Sequence, residues 1–329
     1  VPGGNSFSVQ GSTSRNLAVA LDERGVFEMS DKIAQSLNEE AVAHAYLAER
    51  AGDLSWRHIF SEFTQDPVQI AATLASDAPI AWTLALESPE HGGAYRFRTG
   101  VTIDEVRERY EELRSDLEIH GWEPMLEIRT GWYMMSQGVS LLRIAATGQM
   151  RKGETVVMFP VGVDGILGEL QVGTVGRLPD GTAPVDEDRL PLRRMAVLAE
   201  HEEYIVALRA EDVDRIVGGH MDDAAIAIRN YLTDESSLLN VAGHAAIREH
   251  YIRLFEKYHV VDVQLVNRVA ETWYVFAELH WKVEERSTGR LLEFCTADLN
   301  SIDADRKYWV RTGAGTDPVA LRDRLRPTM

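Results

Sequence analysis

Glu278 and His280 stand two residues apart in a run, Trp273 to Trp281, whose side chains alternate with the period of a β-strand. One face of that strand carries Trp273, Val275, Ala277, Leu279 and Trp281; the other carries Tyr274, Phe276, Glu278 and His280. An acid and an imidazole side by side on one face can act as a coupled acid–base pair on a bound molecule. Asp298, on the next strand, joins them if the hairpin register brings it across. Tyr274 and Tyr251 offer hydroxyls that could orient a substrate oxygen, and Phe276 an apolar wall. His220 and Asp222 form another acid–imidazole pair, the arrangement that sets a histidine tautomer and raises its basicity. The expected catalytic set is therefore Glu278, His280, Tyr274 and Asp298, with Tyr251, His220, Asp222 and Phe276 binding substrate.

A plainer reading stands beside each of these. A Glu-x-His pair also suits a solvated outer face, which Lys282 and Glu284 farther along the strand favour. His220 with Asp222 can simply end a helix, where an imidazole is favourable against the dipole. His250, His280 and Asp298 could supply two imidazoles and a carboxylate to a metal, but no spacing fixes their geometry, and no metal is expected. The single cysteine, Cys295, lies in the apolar run Leu291 to Ala297, which suits a buried small residue and excludes an intramolecular disulfide. Gly313-Ala314-Gly315 lacks the third glycine of a dinucleotide-binding turn, and neither a P-loop nor a Gly-x-Ser-x-Gly elbow occurs, so no cofactor is expected.

The elements that must position these residues come from an internal repeat. Val106 to Leu113 reappears as Ile247 to Leu254, and Trp132-Tyr133 as Trp273-Tyr274, both at an offset of 141. Each copy has a helix with one apolar stripe (Val106, Tyr110, Leu113; Ile247, Tyr251, Leu254) followed by strand-like runs. In the second copy the runs are 260–269, 272–283 and 291–299, with a turn at Arg286 to Gly289; in the first they are 125–135, 139–146 and 155–163. Asp104 stands near the start of the first helix and Gly243 before the second. Ahead of each half lie further helical stretches, 33–50 with 56–63 and 195–208 with 211–217, and then short strands. The repeat offset sets Gln137 and Val139 opposite Glu278 and His280, so the first copy lacks the pair and offers Arg129, Tyr133, His120 and Glu127 instead.

This order of elements resembles the SnoaL-like, or nuclear-transport-factor-2-like, superfamily. In the second copy Gly243-His244-Ala245-Ala246-Ile247-Arg248-Glu249-His250-Tyr251 is similar to that family's helix start, and Trp273 to Leu279 to one of its core strands. The resemblance implies an α+β fold of two tandem cone-shaped modules, each with helices packed on a curved antiparallel sheet around an apolar pocket. It also implies that the two modules can pair through their sheets within one chain as a pseudo-dimer, with further homo-oligomerisation open. The expected organisation is an N-terminal arm over residues 1–30, a diverged first module over 31–176, a linker over 177–190, a second module over 191–318 carrying the candidate site, and a tail over 319–329.

The totals narrow the partners. A net charge of −18, spread along the 329 residues, repels phosphate backbones and anionic lipid, so neither nucleic acid nor membrane is an expected partner. No run of eighteen apolar residues occurs, and no basic-then-apolar leader opens the chain, so a cytoplasmic location is expected. The first residue is not Met, which leaves a trimmed leader open. The functional expectation is a cofactor-independent lyase, of dehydratase or retro-aldol type, acting on a small hydrophobic, aromatic or polycyclic molecule. The preference for a lyase follows from the resemblance. The alternatives are an isomerase or epoxide hydrolase of the same fold, or a non-catalytic ligand-binding or scaffold protein.

Overall fold

A computed structural model of the protein describes residues 23–75, 80–88, 94–162, 165–174, 190–229, 238–302 and 306–316. The chain divides into two compact units, Val1–Tyr46 and Leu47–Met329, and both of its sheets lie in the second. The expected tail and, apart from Leu190, the expected linker fall outside the described residues, as does most of the arm, although the chain is already helical from Glu23.

Helix α1 (Glu23–Glu62) is continuous, where separate helices at 33–50 and 56–63 were expected. Ala51 to Ser55 does not break it. The Ser55 hydroxyl donates back to the Ala51 carbonyl at 2.8 Å, and Gly52 lets the Arg129 guanidinium lie 2.8 Å from where a Cβ would stand. That glycine serves close packing, not termination. After α1 come α2 (Pro67–Ala71), β1 (Ala81–Ser88), β2 (Ala94–Gly100), α3 (Ile103–Asp116), β3 (Leu117–Arg129), β4 (Tyr133–Ile144), β5 (Met150–Pro160) and β6 (Gly168–Thr174). The second module repeats the series as α4 (Leu190–Arg209), α5 (Val213–Gly218), β7 (His220–Arg229), β8 (Leu238–Ala242), α6 (Gly243–Lys257), β9 (Tyr258–Ala270), β10 (Tyr274–Glu285), β11 (Arg290–Ile302) and β12 (Tyr308–Thr316). Adding 141 to the bounds of β3 and β4 gives those of β9 and β10, so the repeat runs without a gap through two strands.

The sheets have the matching orders β2-β1-β6-β5-β4-β3 and β8-β7-β12-β11-β10-β9, and the chain is two tandem α+β modules with helices on each sheet. Each sheet is mixed and not wholly antiparallel, because β1 with β6 and β7 with β12 run parallel. A parallel pair needs a long crossover, and the helix and meander between those strands supply it. In the first copy the expected strand 125–135 straddles a turn. Apolar residues lie on either side of Arg129-Thr130-Gly131, where the Thr130 backbone N–H donates to the Tyr133 carbonyl at 2.9 Å and closes a connection between β3 and β4.

Helix α3 is capped by Thr102, and Asp104 stands in its first turn as expected. The Thr102 hydroxyl accepts from Glu105 N–H at 3.1 Å, while the Glu105 carboxylate reaches back to Val101 N–H at 2.8 Å, a form of capping box. Thr102→Ala should cost about 1 kcal/mol in urea denaturation; an unchanged midpoint would show that the cap contributes nothing. Helix α6 has no such side chain and starts instead at Gly243, whose φ of +80° suits glycine.

Strand alternation divides every strand between two environments. The helix-covered face of the first sheet buries Trp82, Leu84, Met134, Val157 and Phe159 with Val106 and Tyr110 of α3. The corresponding face of the second buries Ile226, Val275, Ala277, Leu279 and Trp281 with Tyr204 and Tyr251. The opposite faces form one shared cluster, in which Tyr133, Met135, Val156 and Met158 pack with Tyr274, Phe276, Ala297 and Leu299. The two sheets thus meet back to back, and Thr83 and Thr312 hydrogen-bond across the junction at 2.6 Å.

Candidate functional site

The structure splits the sequence-expected site between these two faces. Tyr274, Phe276 and Glu278 point away from the helices into the junction between sheets. Glu278 accepts from the Tyr133 hydroxyl at 2.8 Å, Asn267 Nδ2 at 2.8 Å and Trp132 Nε1 at 3.3 Å. By the repeat offset its counterpart is Gln137, and Gln137 Oε1 accepts from the Tyr274 hydroxyl at 2.6 Å. The junction therefore carries two quasi-symmetric tyrosine–acceptor bonds, one to a carboxylate and one to an amide. Burial and the Glu278 charge hold the Tyr133 hydroxyl well above the usual phenol range. Burial does the same for Tyr274.

His280, on the same face as Glu278, is paired on both sides within the sheet, and its side chain is 31% exposed and lies 3.5 Å from Glu293. The expected Glu278–His280 pair within the pocket is thus corrected. The period-two sorting separates the faces as expected, but the apolar face is the one beneath the helices. Asp298 pairs with Ala277 on β10 and lies on that helix-covered face, away from Glu278. His220 and Asp222 also part, because His220 is fully buried while the Asp222 side chain is 96% exposed beside His244. In the first module His120 is exposed and bonded to Glu118, and Glu127 pairs with Arg129.

Beneath the first module's helices lies a polar group that the sequence reading did not single out as a site. His58 and Glu62, one turn apart on α1, meet Tyr110 of α3 and Glu169 of β6. The Tyr110 hydroxyl is 2.9 Å from Glu62 Oε1 and also hydrogen-bonds Glu169 Oε2, which accepts from Trp82 Nε1 at 2.7 Å. Thr73 donates its hydroxyl proton to the Ile70 carbonyl, so its oxygen must accept from His58 Nδ1 at 2.5 Å. His58 therefore carries a proton on Nδ1 and turns Nε2 toward Tyr110 at 3.2 Å and toward both carboxylates at 3.6 Å.

The two carboxyls differ sharply. Burial raises Glu62 well above the ordinary carboxylate range, and the neighbouring Glu169 charge adds to this. Burial also acts to raise Glu169, but His58, Tyr110 and Trp82 outweigh it and leave that group lower than usual. Tyr110 has one proton for two carboxyls, so a second proton on Glu62 completes a chain from Glu62 through Tyr110 to Glu169. Ligand atoms of His58, Glu62 and Glu169 come within 4.8 Å of one another, close enough in size for a metal ion. On the same sheet face, Ser136 Oγ and Trp122 Nε1 are buried without a hydrogen-bond partner among the described residues.

The second module has a different centre. Arg311 on β12 is fully buried and donates to Asp298 Oδ2 at 3.1 Å, Asn300 Oδ1 at 2.7 Å and the Tyr251 hydroxyl at 2.5 Å, with its guanidinium 4.3 Å from the Tyr204 ring centre. Tyr110 and Tyr251 are repeat counterparts, so one tyrosine position serves an anionic centre in one module and a cationic centre in the other. Gly313 leaves room for the Asp298 side chain, whose Oδ1 would be 2.4 Å from a Cβ there. Burial pushes Asp298 up to about 6 despite Arg311. Burial pushes His201 and His220 down to about 3 and His250 to about 4, with the Arg311 charge contributing to each.

These imidazoles are neutral in the folded protein and charge on unfolding below about pH 6.5. Their stabilising contribution is complete above that pH and is lost as pH falls toward 3 to 4. Asp298 and Glu62, raised in the fold, act in the opposite direction. His201→Phe should remove one proton from the balance, so that wild type loses about 1.4 kcal/mol more per pH unit than the variant between about pH 6 and 4.5. Urea denaturation across that range measures the difference, and parallel curves would refute it.

Some of this was visible in the sequence. His58 and Glu62 are a polar pair at helical spacing on the side of α1 that buries Ala51 and Ile59. Glu169 gave no such signal: between Gly168 and Leu170 it has the pattern of a solvated strand position, and only the helix cover buries it. Arg311 is hidden in the same way within Val310-Arg311-Thr312.

No family model matches the chain, and no characterised protein matches its sequence. Solved structures match over the length of one module. A ketosteroid isomerase-like protein from Erwinia carotovora atroseptica is 13% identical, covering 38% of this chain and 98% of its own, with a TM-score of 0.32. A putative polyketide cyclase from Xanthomonas campestris pv. campestris is 16% identical, with coverages of 37% and 91% and a TM-score of 0.32. An LEH-like epoxide hydrolase from M. tuberculosis is 15% identical, with coverages of 40% and 92% and a TM-score of 0.32. These neighbours are nuclear-transport-factor-2-like proteins. No described helix is long and apolar enough to cross a membrane.

Proposed function

We propose that this chain is an enzyme that moves protons on a small, mainly apolar molecule held against the helix-covered face of its first module. The observation that carries the reading is the Tyr110 hydroxyl set between two buried carboxyls whose proton affinities are driven apart. Such a pair holds an acid and a base ready at one pH. Glu62 is the partly exposed member, with 11% of its side chain accessible, and is the group that meets substrate. As the acid it gives its proton to a departing or developing oxygen. Glu169, reached through Tyr110, accepts the proton released from the substrate and returns it to Glu62. His58, held by Thr73, packs against Glu169. Half-buried Trp56, Phe63, Ile103 and Trp122 pack against the same module's apolar core and suit an apolar substrate.

Elimination of water uses both groups in one turnover, the base taking a C–H proton and the acid protonating the departing hydroxyl. An isomerase or epoxide hydrolase can use the same acid and base; a lyase of dehydratase type that works without a cofactor is the reading we put first. The test is to incubate the full chain in deuterium oxide with aryl alcohols, epoxides and hydroxy-ketones and follow product formation and deuterium uptake. Conversion or exchange that disappears in Glu169→Gln supports the assignment; activity equal to wild type in both Glu62→Gln and Glu169→Gln would remove it.

A further inference from the structure

Two carboxyls meet in the first module without a fixed cation between them. His58 and Glu169 are buried and Glu62 is half-buried, and among the described residues neither carboxyl pairs with a lysine or arginine. The second module is built differently: Tyr251, the repeat counterpart of Tyr110, takes a hydrogen bond from the Arg311 guanidinium, which also matches Asp298. Hydrogens are scarce at the first centre as well. Tyr110 has one hydroxyl proton, yet Glu62, Glu169 and His58 Nε2 are all placed to accept it. Interiors pair nearly all their polar groups, so the surplus acceptors call for a cation, in the form of added protons or of a metal ion.

The spacing suits a metal ion. Zinc with four ligands at about 2.1 Å sets those ligands about 3.4 Å from one another. His58 Nε2 lies 3.6 Å from Glu62 Oε1 and 3.6 Å from Glu169 Oε2. The Tyr110 oxygen lies 3.2 Å from the same nitrogen and 2.9 Å from Glu62 Oε1, and it also touches Glu169 Oε2. Supports behind the ligands are already in place. The Thr73 oxygen accepts from His58 Nδ1 and so leaves Nε2 as the coordinating nitrogen, and Trp82 Nε1 donates to Glu169. Outer partners of this kind orient metal ligands. A mixed nitrogen and oxygen set at tetrahedral spacing favours zinc over magnesium, which prefers six oxygens and keeps its water.

We propose that His58 Nε2, Glu62 and Glu169, with the Tyr110 oxygen, hold a divalent transition-metal ion of the zinc class. The ion replaces the protons that these groups otherwise share, and the two ionised carboxylates balance its charge. Binding itself does not depend on the function proposed above. One consequence does rest on that reading: an ion held by both carboxylates leaves neither free to move a proton, so zinc inhibits the reaction.

Titration of the full chain, first freed of metal by a chelator, with Co2+ and then Zn2+ tests the site. A single Co2+ should bind with the intense visible bands of a four-coordinate ion; Zn2+ should abolish them and Mg2+ should not. Glu62→Gln should weaken Co2+ binding more than about a hundredfold, and Thr73→Val, which removes only an outer partner, about ten- to a hundredfold. His120→Gln and His259→Gln alter exposed histidines beside carboxylates, where an adventitious ion would sit, and should change nothing. Absence of the four-coordinate bands, wild-type affinity in Glu62→Gln, or loss of the bands in either histidine variant would each overturn the proposal. Zinc should also raise the urea midpoint of the wild-type chain, because it stabilises only the fold that binds it; an unmoved midpoint would overturn the site without recourse to any variant. Turnover is a separate readout. Four-coordinate bands without conversion of any substrate would uphold the metal site and count against the proposed function, whereas conversion that persists at saturating Zn2+ would overturn the inhibition.

Discussion

Glu169→Gln should lower turnover about a hundred- to ten-thousandfold, the usual contribution of a positioned acid–base group. Glutamine keeps the shape of the side chain and can still accept from Trp82 and Tyr110, so folding and substrate affinity should change little. It cannot take up a proton, and the path from Glu62 through Tyr110 then has no terminus. Glu62→Gln should cause a loss of similar size, and the double variant little more, because residues that act as one unit do not add. The pH profile provides an independent readout. Activity needs Glu169 ionised and Glu62 protonated, so the wild-type rate should fall in acid as Glu169 takes up a proton and in base as Glu62 loses one. The two limbs belong to the coupled pair and not to either residue alone. An unchanged rate and a flat profile in both variants would end the assignment.

Glu278→Ala should be the most damaging single change at the junction between sheets, destabilising the protein by about 3–5 kcal/mol. It removes the shared acceptor of Tyr133, Asn267 and Trp132 and strands three donors in or near a closed interface, each at about 1–3 kcal/mol before relaxation. Glu278→Gln should cost far less, because Gln137 shows that an amide oxygen serves the equivalent tyrosine on the other side of the junction. The pair of variants also separates a structural carboxylate from a catalytic one. With a structural role, Glu278→Gln retains turnover while Glu278→Ala loses stability; with a catalytic role, Glu278→Gln loses turnover without loss of stability. Urea denaturation of both, alongside the activity assay, gives the answer, and a cost under about 1 kcal/mol for Glu278→Ala would contradict the structural role.

The two modules differ at the centre of their helix-covered faces. Tyr110 and Tyr251 keep one position on α3 and α6, but the strand beneath supplies Glu169 to the first and Arg311 to the second. A carboxylate beside a second carboxyl suits the proposed proton relay, whereas the guanidinium in the second module is matched by Asp298. Leu170 pairs with Met158 and Thr312 with Leu299, so Glu169 and Arg311 occupy matching sheet positions one residue off the 141 offset, with opposite charge.

What the sequence determined by itself was repetition and alternation. An offset of 141 located the paired helices and, carried through β3 and β4, the strands that follow them, because local periodicity depends only on neighbouring residues. It also sorted Trp273 to Trp281 into two faces. Only tertiary structure decided which face lies beneath the helices and which meets the other sheet, since both are apolar enough to be buried. That choice moved Glu278 from a pocket to an interface. It also buried Glu169 and Arg311, whose flanking residues give the look of solvated strand positions, and brought His58 and Glu62 to Tyr110 across more than forty residues of chain. Burial and long-range convergence, which set proton affinity, are properties of the packed modules and not of any local stretch of sequence.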